Sequence, residues 1–126
     1  MAIKGLAAMK RKLKKLEKQF PDAMADALYE SGERIMSESV REVPVKTGRL
    51  RATHYVEEPK KDSKGKHSLE IGYGTNYAVS VHENMTAKHT VGKAKYLQDP
   101  INKARSTWAR DLVNRVEKHA SKRGLL

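Results

Sequence analysis

The stretch VREVPVKTGRLRATHYVE, residues 40–57, contains the change of periodicity that decides the fold class. Upstream of it lies the apolar face of a predicted amphipathic helix, which consists of Met24, Leu28, Ile35, Met36, Val40 and Val43, with Ala27 on the same face. Pro44 ends that helix, because a residue that precedes proline is disfavoured in the helical region. Downstream, apolar and polar side chains alternate from Leu50 to Glu57, which predicts a β-strand. The chain is therefore expected to combine helices with a sheet.

Another amphipathic helix is predicted ahead of this one. Its apolar stripe consists of Ile3, Leu6, Met9, Leu13, Leu16 and Phe20. Its basic face consists of Lys10, Arg11, Lys14, Lys15 and Lys18. Proline suits the first turn of a helix and disrupts its interior, so Pro21 predicts a break near residues 19–21. We expect residues 1–20 to form a basic N-terminal helix and residues 21–126 to form a single α+β domain.

Two further alternating segments extend the sheet. Residues 68–73 and, more briefly, residues 77–81 predict a second and a third strand. The first two strands are expected to form an antiparallel hairpin across the polar turn region 59–66. Residues 82–95 show no clear periodicity and predict a long loop, followed by a short edge strand at 95–97.

The last part of the chain predicts a closing helix. Asp99 can cap free backbone amides and Pro100 suits the first helical position, so the helix is expected from about 100 to 121. It is expected to pack against the sheet through Trp108. The predicted fold is α+β in the order ααβββα, with long N-terminal helices, a small antiparallel sheet with a hairpin, and a C-terminal helix packed on the sheet.

Composition and motifs argue against an enzyme. The 126 residues include no Cys, which excludes a disulfide, a thiolate zinc site and a Cys nucleophile. His82-Glu83 lacks the second His that a zincin helix needs four residues on, since the next one is His89. No Ser has a recognisable nucleophile motif, and the glycine-containing segments lack the order of a phosphate loop. We expect no catalytic residues, no metal and no cofactor.

The charge leaves three interpretations open. The formal net charge is +11, concentrated in the first 18 residues and in 105–123. Such an excess is typical of a solvated face, of contact with nucleic-acid phosphates, or of docking on an acidic protein. Aromatic residues that could stack on bases are few, so sequence-specific reading is not expected, whereas non-specific DNA contact stays open. No apolar run approaches the roughly 20 residues that span a bilayer, so no membrane role is expected.

Several segments together resemble a known family. VPVKTGRLR, residues 43–51, follows a long amphipathic helix and resembles the P-x-x-TG-x-L-R signature of the head–tail joining and tail-completion (neck) proteins of tailed bacteriophages. Residues 71–83 resemble that family's Tyr-Ala … Glu segment, and residues 92–100 match its ending. The resemblance covers about residues 22–118. The chain departs from the pattern at residues 83–86 and in its longer basic extension before Pro21.

The resemblance implies a structural virion protein that forms a ring and joins the tail to the head. A six-fold ring is preferred and a twelve-fold ring is also open. Its partners would be further copies of itself and head-closure, tail-terminator or tail-tube proteins. It would lie at the head–tail junction of the virion after assembly in the host cytoplasm. The alternatives are a basic nucleic-acid-binding protein and, less favoured, a small enzyme acting on nucleic acid.

The candidate interface residues come from these motifs and their neighbourhood. They are Thr47, Gly48, Arg49, Arg51, Tyr73, Tyr77, His82, Glu83 and His89. Arg49 and Arg51 are expected to face outward, where they could pair with a neighbouring subunit. A strongly basic channel would hold DNA back, so the basic N-terminal helix is expected to face outward or to meet an acidic partner ring.

Overall fold

A computed structural model describes residues 5–43, 51–74, 77–82, 87–91 and 95–126. The helices of this described part are α1 (Leu6–Gln19), α2 (Pro21–Glu42), α3 (Lys95–Ala104) and α4 (Trp108–Lys122). Its strands are β1 (His54–Val56), β2 (Lys60–Lys61), β3 (His67–Tyr73), β4 (Tyr77–His82) and β5 (Ala87–Val91). The predicted α+β class is confirmed, with two N-terminal helices, a small antiparallel sheet and a C-terminal helix.

The predicted break between the first two helices is confirmed at Phe20. This residue leaves the helical region, with φ −131° and ψ 68°, while Pro21 occupies the first turn of α2. The Phe20 amide still bonds the Leu16 carbonyl at 2.7 Å, and its carbonyl accepts from Met24 at 2.9 Å. Phe20 thus ends one helix and begins the next, and its ring packs in the core. At the far end, Val43 is extended, as expected of a residue before proline.

The sheet has the strand order β1-β3-β4-β5, with every pair antiparallel. The short β2 pairs with the beginning of β3, and the turn between them is closed by Asp62, whose side chain accepts from the amides of Lys64 and Lys66. The predicted alternation in β3 is confirmed, because Leu69, Ile71 and Tyr73 are all buried. This face of the sheet packs against α2.

The first strand is shorter than the sequence predicted. Arg51 and Ala52 are helical and Thr53 lies in a turn, so β1 begins only at His54, while Leu50 lies outside the described residues. A local hydrogen bond explains the difference, since His54 Nδ1 lies 2.7 Å from the Arg51 carbonyl oxygen. Such side-chain contacts with nearby backbone compete with strand pairing, and propensity patterns do not register them.

The segment 82–95 was predicted wrongly as a loop throughout. Residues 87–91 form β5, which pairs with β4 and shifts register between Ala78 and Val79. The sequence AKHTV has no apolar alternation, so its strand state follows from backbone pairing with β4. The edge strand expected at 95–97 is also wrong, because those residues begin α3.

The closing helix begins earlier than predicted and is interrupted. Pro100 lies inside α3, not at its start, and is buried beside Leu97 and Ile101. A proline in a helix lacks the backbone N–H that would donate to the carbonyl four residues earlier. The chain then turns at residues 105–107 and resumes as α4 at Trp108. Trp108 is buried as expected, but α4 makes its main contacts with α1 and α2, and α2 is the helix that chiefly covers the sheet.

Gly32 marks the closest approach of α2 to the sheet. The sequence predicts it only as a weak helix residue. A Cβ at this position would overlap the Leu69 side chain and touch Ile71, both of which are buried in β3. The absent side chain is therefore what lets Leu69 pack directly on the helix backbone.

We predict that Gly32→Ala destabilises the protein by about 1–2 kcal/mol, although Ala is the better helix former by about 1 kcal/mol. Overpacking against Leu69 outweighs the gain in propensity. The free energy of unfolding from urea titration measures the change. Ser37→Ala, at an exposed position of the same helix, is the control and should be neutral or slightly stabilising. A Gly32→Ala protein more stable than the wild type would contradict the close approach.

Candidate interaction surfaces

The basic face of α1 is fully displayed at the surface. Its five residues, Lys10, Arg11, Lys14, Lys15 and Lys18, are all exposed. The opposite side of the helix buries Leu13 and Leu16 in the core. Within the described residues, Lys12 is the cation of α1 that forms an ion pair, and its partner is Glu117 of α4 at 3.5 Å. The five cations of the basic face therefore present their charge outward.

One acidic residue of α1 is turned inward and fixes the helix on the sheet. Glu17 is only 6% exposed, and His67 is 4% exposed. Glu17 Oε2 accepts two hydrogen bonds from His67, one from the backbone amide and one from ring Nδ1, each 2.8 Å long. The two residues are 50 positions apart, and their contact ties α1 to the first residue of β3.

Sequence reasoning missed this pair, although a signal was present. Glu17 is the only acidic residue among the first 20, and it lies one position from Leu16 and four from Leu13. That spacing places a carboxylate on the apolar stripe, where it must be satisfied by a partner. The identity of the partner could not be read from the sequence, because it lies on a distant strand.

Helix α2 carries the opposite charge. It has six acidic and two basic residues, a net charge of −4, whereas α1 has six basic and one acidic, a net charge of +5. Part of the acidic charge is met by α4. The carboxylate of Glu30 accepts hydrogen bonds from the Arg115 guanidinium and, at 3.3 Å, from Lys118 Nζ, and it lies 3.2 Å from His119 Nε2. Asp26 accepts a hydrogen bond from Arg123 Nε at 2.8 Å.

This network shifts the pKa of Glu30. Partial burial alone would raise the pKa, but the hydrogen bonds and positive charges of Arg115 and Lys118 outweigh it and lower the pKa to about 2. Arg115 is held in turn by Asp111, whose Oδ2 lies 2.9 Å from Arg115 Nε. The carboxylate of Glu30 is therefore charged at neutral pH and joins α2 to α4.

An open groove of about 390 Å³ lies beside this network. Its walls come from α2, from the β1–β2 connection and from α4, and its polar and aromatic lining is Asp26, Tyr29, Glu30, Glu33, Glu58 and His119. Glu33 and Glu58 are exposed and form no ion pair within the described residues. We call this feature the acidic groove.

No metal site is apparent among the described residues, where no three His, Asp or Glu side chains are grouped suitably. None of the described helices is long and apolar enough to cross a membrane.

Residues 7–82 match the model of the family described as "Bacteriophage HK97-gp10, putative tail-component". The chain belongs to this family. The match covers more than half of the chain and runs from α1 to the end of β4. It therefore includes most of the basic helix that the sequence patterns suggested was an extension. Comparisons with curated proteins and with solved structures gave no match.

Two of the predicted interface residues, Arg51 and Tyr73, are partly and fully buried, respectively. Arg51 was expected to face outward, but its guanidinium donates to the Val43 carbonyl at 2.7 Å, and its Nε is buried without a partner among the described residues. Tyr73 is fully buried and shares a 2.7 Å hydrogen bond with Ser39 of α2. Burial raises the pKa of Tyr73, and its ring meets that of Tyr96 edge to face at 5.3 Å. Tyr73 therefore offers no surface group, and Arg51 is half-buried.

The remaining candidates that the structure describes lie on β4 and β5. Thr47, Gly48, Arg49 and Glu83 lie outside the described residues. Tyr77 pairs with Tyr73 at one end of β4, and half-buried His82 pairs with Ser68 at the other end. His89 lies on β5 opposite Val79. The role of these residues at a subunit interface stays a prediction.

We predict that Glu17→Ala lowers the free energy of unfolding by about 2–4 kcal/mol, because two buried donors of His67 lose their acceptor. Glu17→Gln should cost less, since its carbonyl can still accept one of them. Urea titration measures both changes. Gln19→Ala, two residues on and exposed, serves as the control and should stay within about 0.5 kcal/mol of the wild type. Equal effects of Glu17→Ala and the control would show that the buried pair contributes nothing.

We predict that Glu30→Gln destabilises the protein at pH 7 by about 1–2 kcal/mol, a value reduced for partial exposure. Because the folded pKa of about 2 lies below the ordinary 4.5, the stabilisation is complete above pH 4.5. It is lost as the pH falls toward 2. Urea titrations from pH 7 to pH 2.5 should show the two proteins converging. Glu33→Gln, the exposed control, should show little difference at either pH, and a Glu30→Gln effect as large at pH 2.5 as at pH 7 would refute the electrostatic origin.

Proposed function

We propose that this protein is a tail-completion or neck protein that assembles into a ring and joins the phage tail to the head. The observation that carries the proposal is the family match over residues 7–82, whose description is a tail component. At the coarser level the protein is a structural component of a bacteriophage tail, and therefore of the virion. Ring formation, a preference for six copies, and the place at the head–tail junction are the finer parts of the proposal.

The edges of the sheet support assembly with further copies. In the described residues, β5 pairs only with β4, and β1 pairs only with β3. Both edges thus leave backbone donors and acceptors available, and proteins commonly cover such edges. A ring of identical subunits covers them through head-to-tail contacts that close by rotation.

A second candidate is non-specific binding to nucleic acid. It is favoured by one observation, the five exposed cations on the basic face of α1. Such binding needs only phosphate contacts and would weaken steeply with salt. It is less favoured because the chain has only one Phe, one Trp and five Tyr, and Phe20, Tyr73 and Trp108 are buried in the core.

We predict that deleting the gene from its parent phage genome leaves filled heads beside free tails in the lysate. Electron microscopy of the lysate, together with an infectivity count, measures the result. Supplying the wild-type gene in trans should restore joined particles, and the same gene with an early stop codon should not. Tails of abnormal length would place the protein at the tail end. Normal infectious particles would overturn the proposed function and make nucleic-acid binding the leading one.

A further inference from the structure

We infer that the basic face of α1 docks in the acidic groove of the next copy of the chain. The inference deepens the proposed ring function and rests on it, because it names the surfaces that join one subunit to the next. The occupant of the groove is a second copy, chosen because the complementary charges are both present on this chain.

The first step is the separation of charge between two consecutive helices. Helix α1 has a net charge of +5 and α2 a net charge of −4. Within the described residues, no ion pair joins the two helices, although they are in contact. The two helices therefore do not neutralise each other. Asp26 and Glu30 are paired with the C-terminal segment, whereas the basic face of α1 and exposed Glu33 stay available for a contact between subunits.

The second step is that the two surfaces lie on opposite flanks of α4. Glu117 of α4 reaches Lys12 of α1, whereas Arg115 and His119 reach Glu30 of α2. At about 100° per residue, Glu117 is roughly 200° around the helix from Arg115, and Val116 between them is buried. A basic face and a groove on opposite flanks cannot meet within one chain. They can meet between copies arranged head to tail, which is the arrangement that closes into a ring.

The third step is the shape and chemistry of the groove. Asp26 and Glu30 are already paired with α4, while Glu33 and Glu58 stand exposed at its rim. A groove of about 390 Å³ has room for the end of a Lys side chain, and Tyr29 offers an aromatic surface for its ammonium group. Lys14 and Lys15, in the middle of the basic face, are the natural counterparts of Glu33 and Glu58.

The test is a charge exchange in the full-length protein. Variant A carries Lys14→Glu and Lys15→Glu, and variant B carries Glu33→Lys and Glu58→Lys. We expect each alone to associate at least about tenfold more weakly than the wild type in analytical ultracentrifugation at low salt. The control, Arg105→Glu with Arg110→Glu, makes the same change of net charge as variant A at exposed positions outside α1 and should assemble like the wild type. Circular dichroism and thermal unfolding establish that each variant is folded.

The decisive measurement mixes the two variants. In a mixture, the acidic helix of A meets the basic groove of B, and the basic helix of B meets the acidic groove of A. We expect association to return and native mass spectrometry to show rings with equal numbers of A and B. The four-substitution variant, which exchanges both surfaces within one chain, should also assemble.

Other outcomes separate the possible failures. Variants A and B that form rings as well as the wild type would overturn this inference and leave the ring function standing. Loss of assembly in A that neither B nor the four-substitution variant restores, with loss of salt-sensitive binding to duplex DNA, would assign the basic face to DNA. A wild-type protein that stays monomeric at every salt and protein concentration would overturn both the inference and the ring.

Discussion

The structure depends on the packing of α2, which is covered by the sheet on one side and by the other helices on the rest of its buried surface. Such a helix needs small residues where its neighbours come closest. Gly32 is such a residue where Leu69 packs on the helix. Nearer the start of the helix, small side chains also lie on its buried or half-buried side, at Ala23, Ala25 and Ala27. Ser39 is also buried on this helix, and its hydroxyl lies 2.7 Å from the hydroxyl of Tyr73. A large residue placed at any of the closest contacts would separate the helix layer from the sheet.

Charge is arranged around this core according to exposure. The buried carboxylate of Glu17 has two hydrogen bonds from one histidine, as a buried charge requires. Half-exposed Glu30 contacts three basic side chains of α4, and two of them, Arg115 and Lys118, lower its pKa. The exposed cations on the basic face of α1 remain available to another molecule. The Lys and Arg residues therefore fall into two groups. Some form ion pairs inside the subunit, and the others form an exposed basic surface.

Local sequence patterns predicted the elements whose conformation depends mainly on neighbouring residues in the chain. Pro21 and Pro44 set the limits of α2, and the alternation at residues 69–73 gave β3 and its buried face. The patterns failed where distant residues decide the outcome. Residues 87–91 are a strand because β4 pairs with them, and Pro100 lies inside α3, buried beside Leu97 and Ile101.

The candidate surfaces could be predicted from the sequence only in part. The basic face follows from the spacing of lysines on one helix, and the structure leaves it exposed. The motif residues Arg51 and Tyr73 illustrate the limit. Arg51 was expected to face outward but is half-buried and bonds the Val43 carbonyl, and Tyr73, a candidate interface residue, is buried and bonds Ser39. The acidic groove could not be found, since its walls come from three elements far apart in the chain.

The Glu17–His67 contact explains how the fold sets the direction of the basic face. Leu13 and Leu16 alone would let α1 roll on its apolar neighbours, because hydrophobic contact is not directional. Two hydrogen bonds to one carboxylate oxygen are directional, and they fix both the rotation of the helix and its position along β3. Lys14 and Lys18 lie three residues before and one residue after Glu17, so fixing Glu17 inward fixes where those lysines point. A single buried acid in a basic helix thereby determines which surface the helix offers to its surroundings.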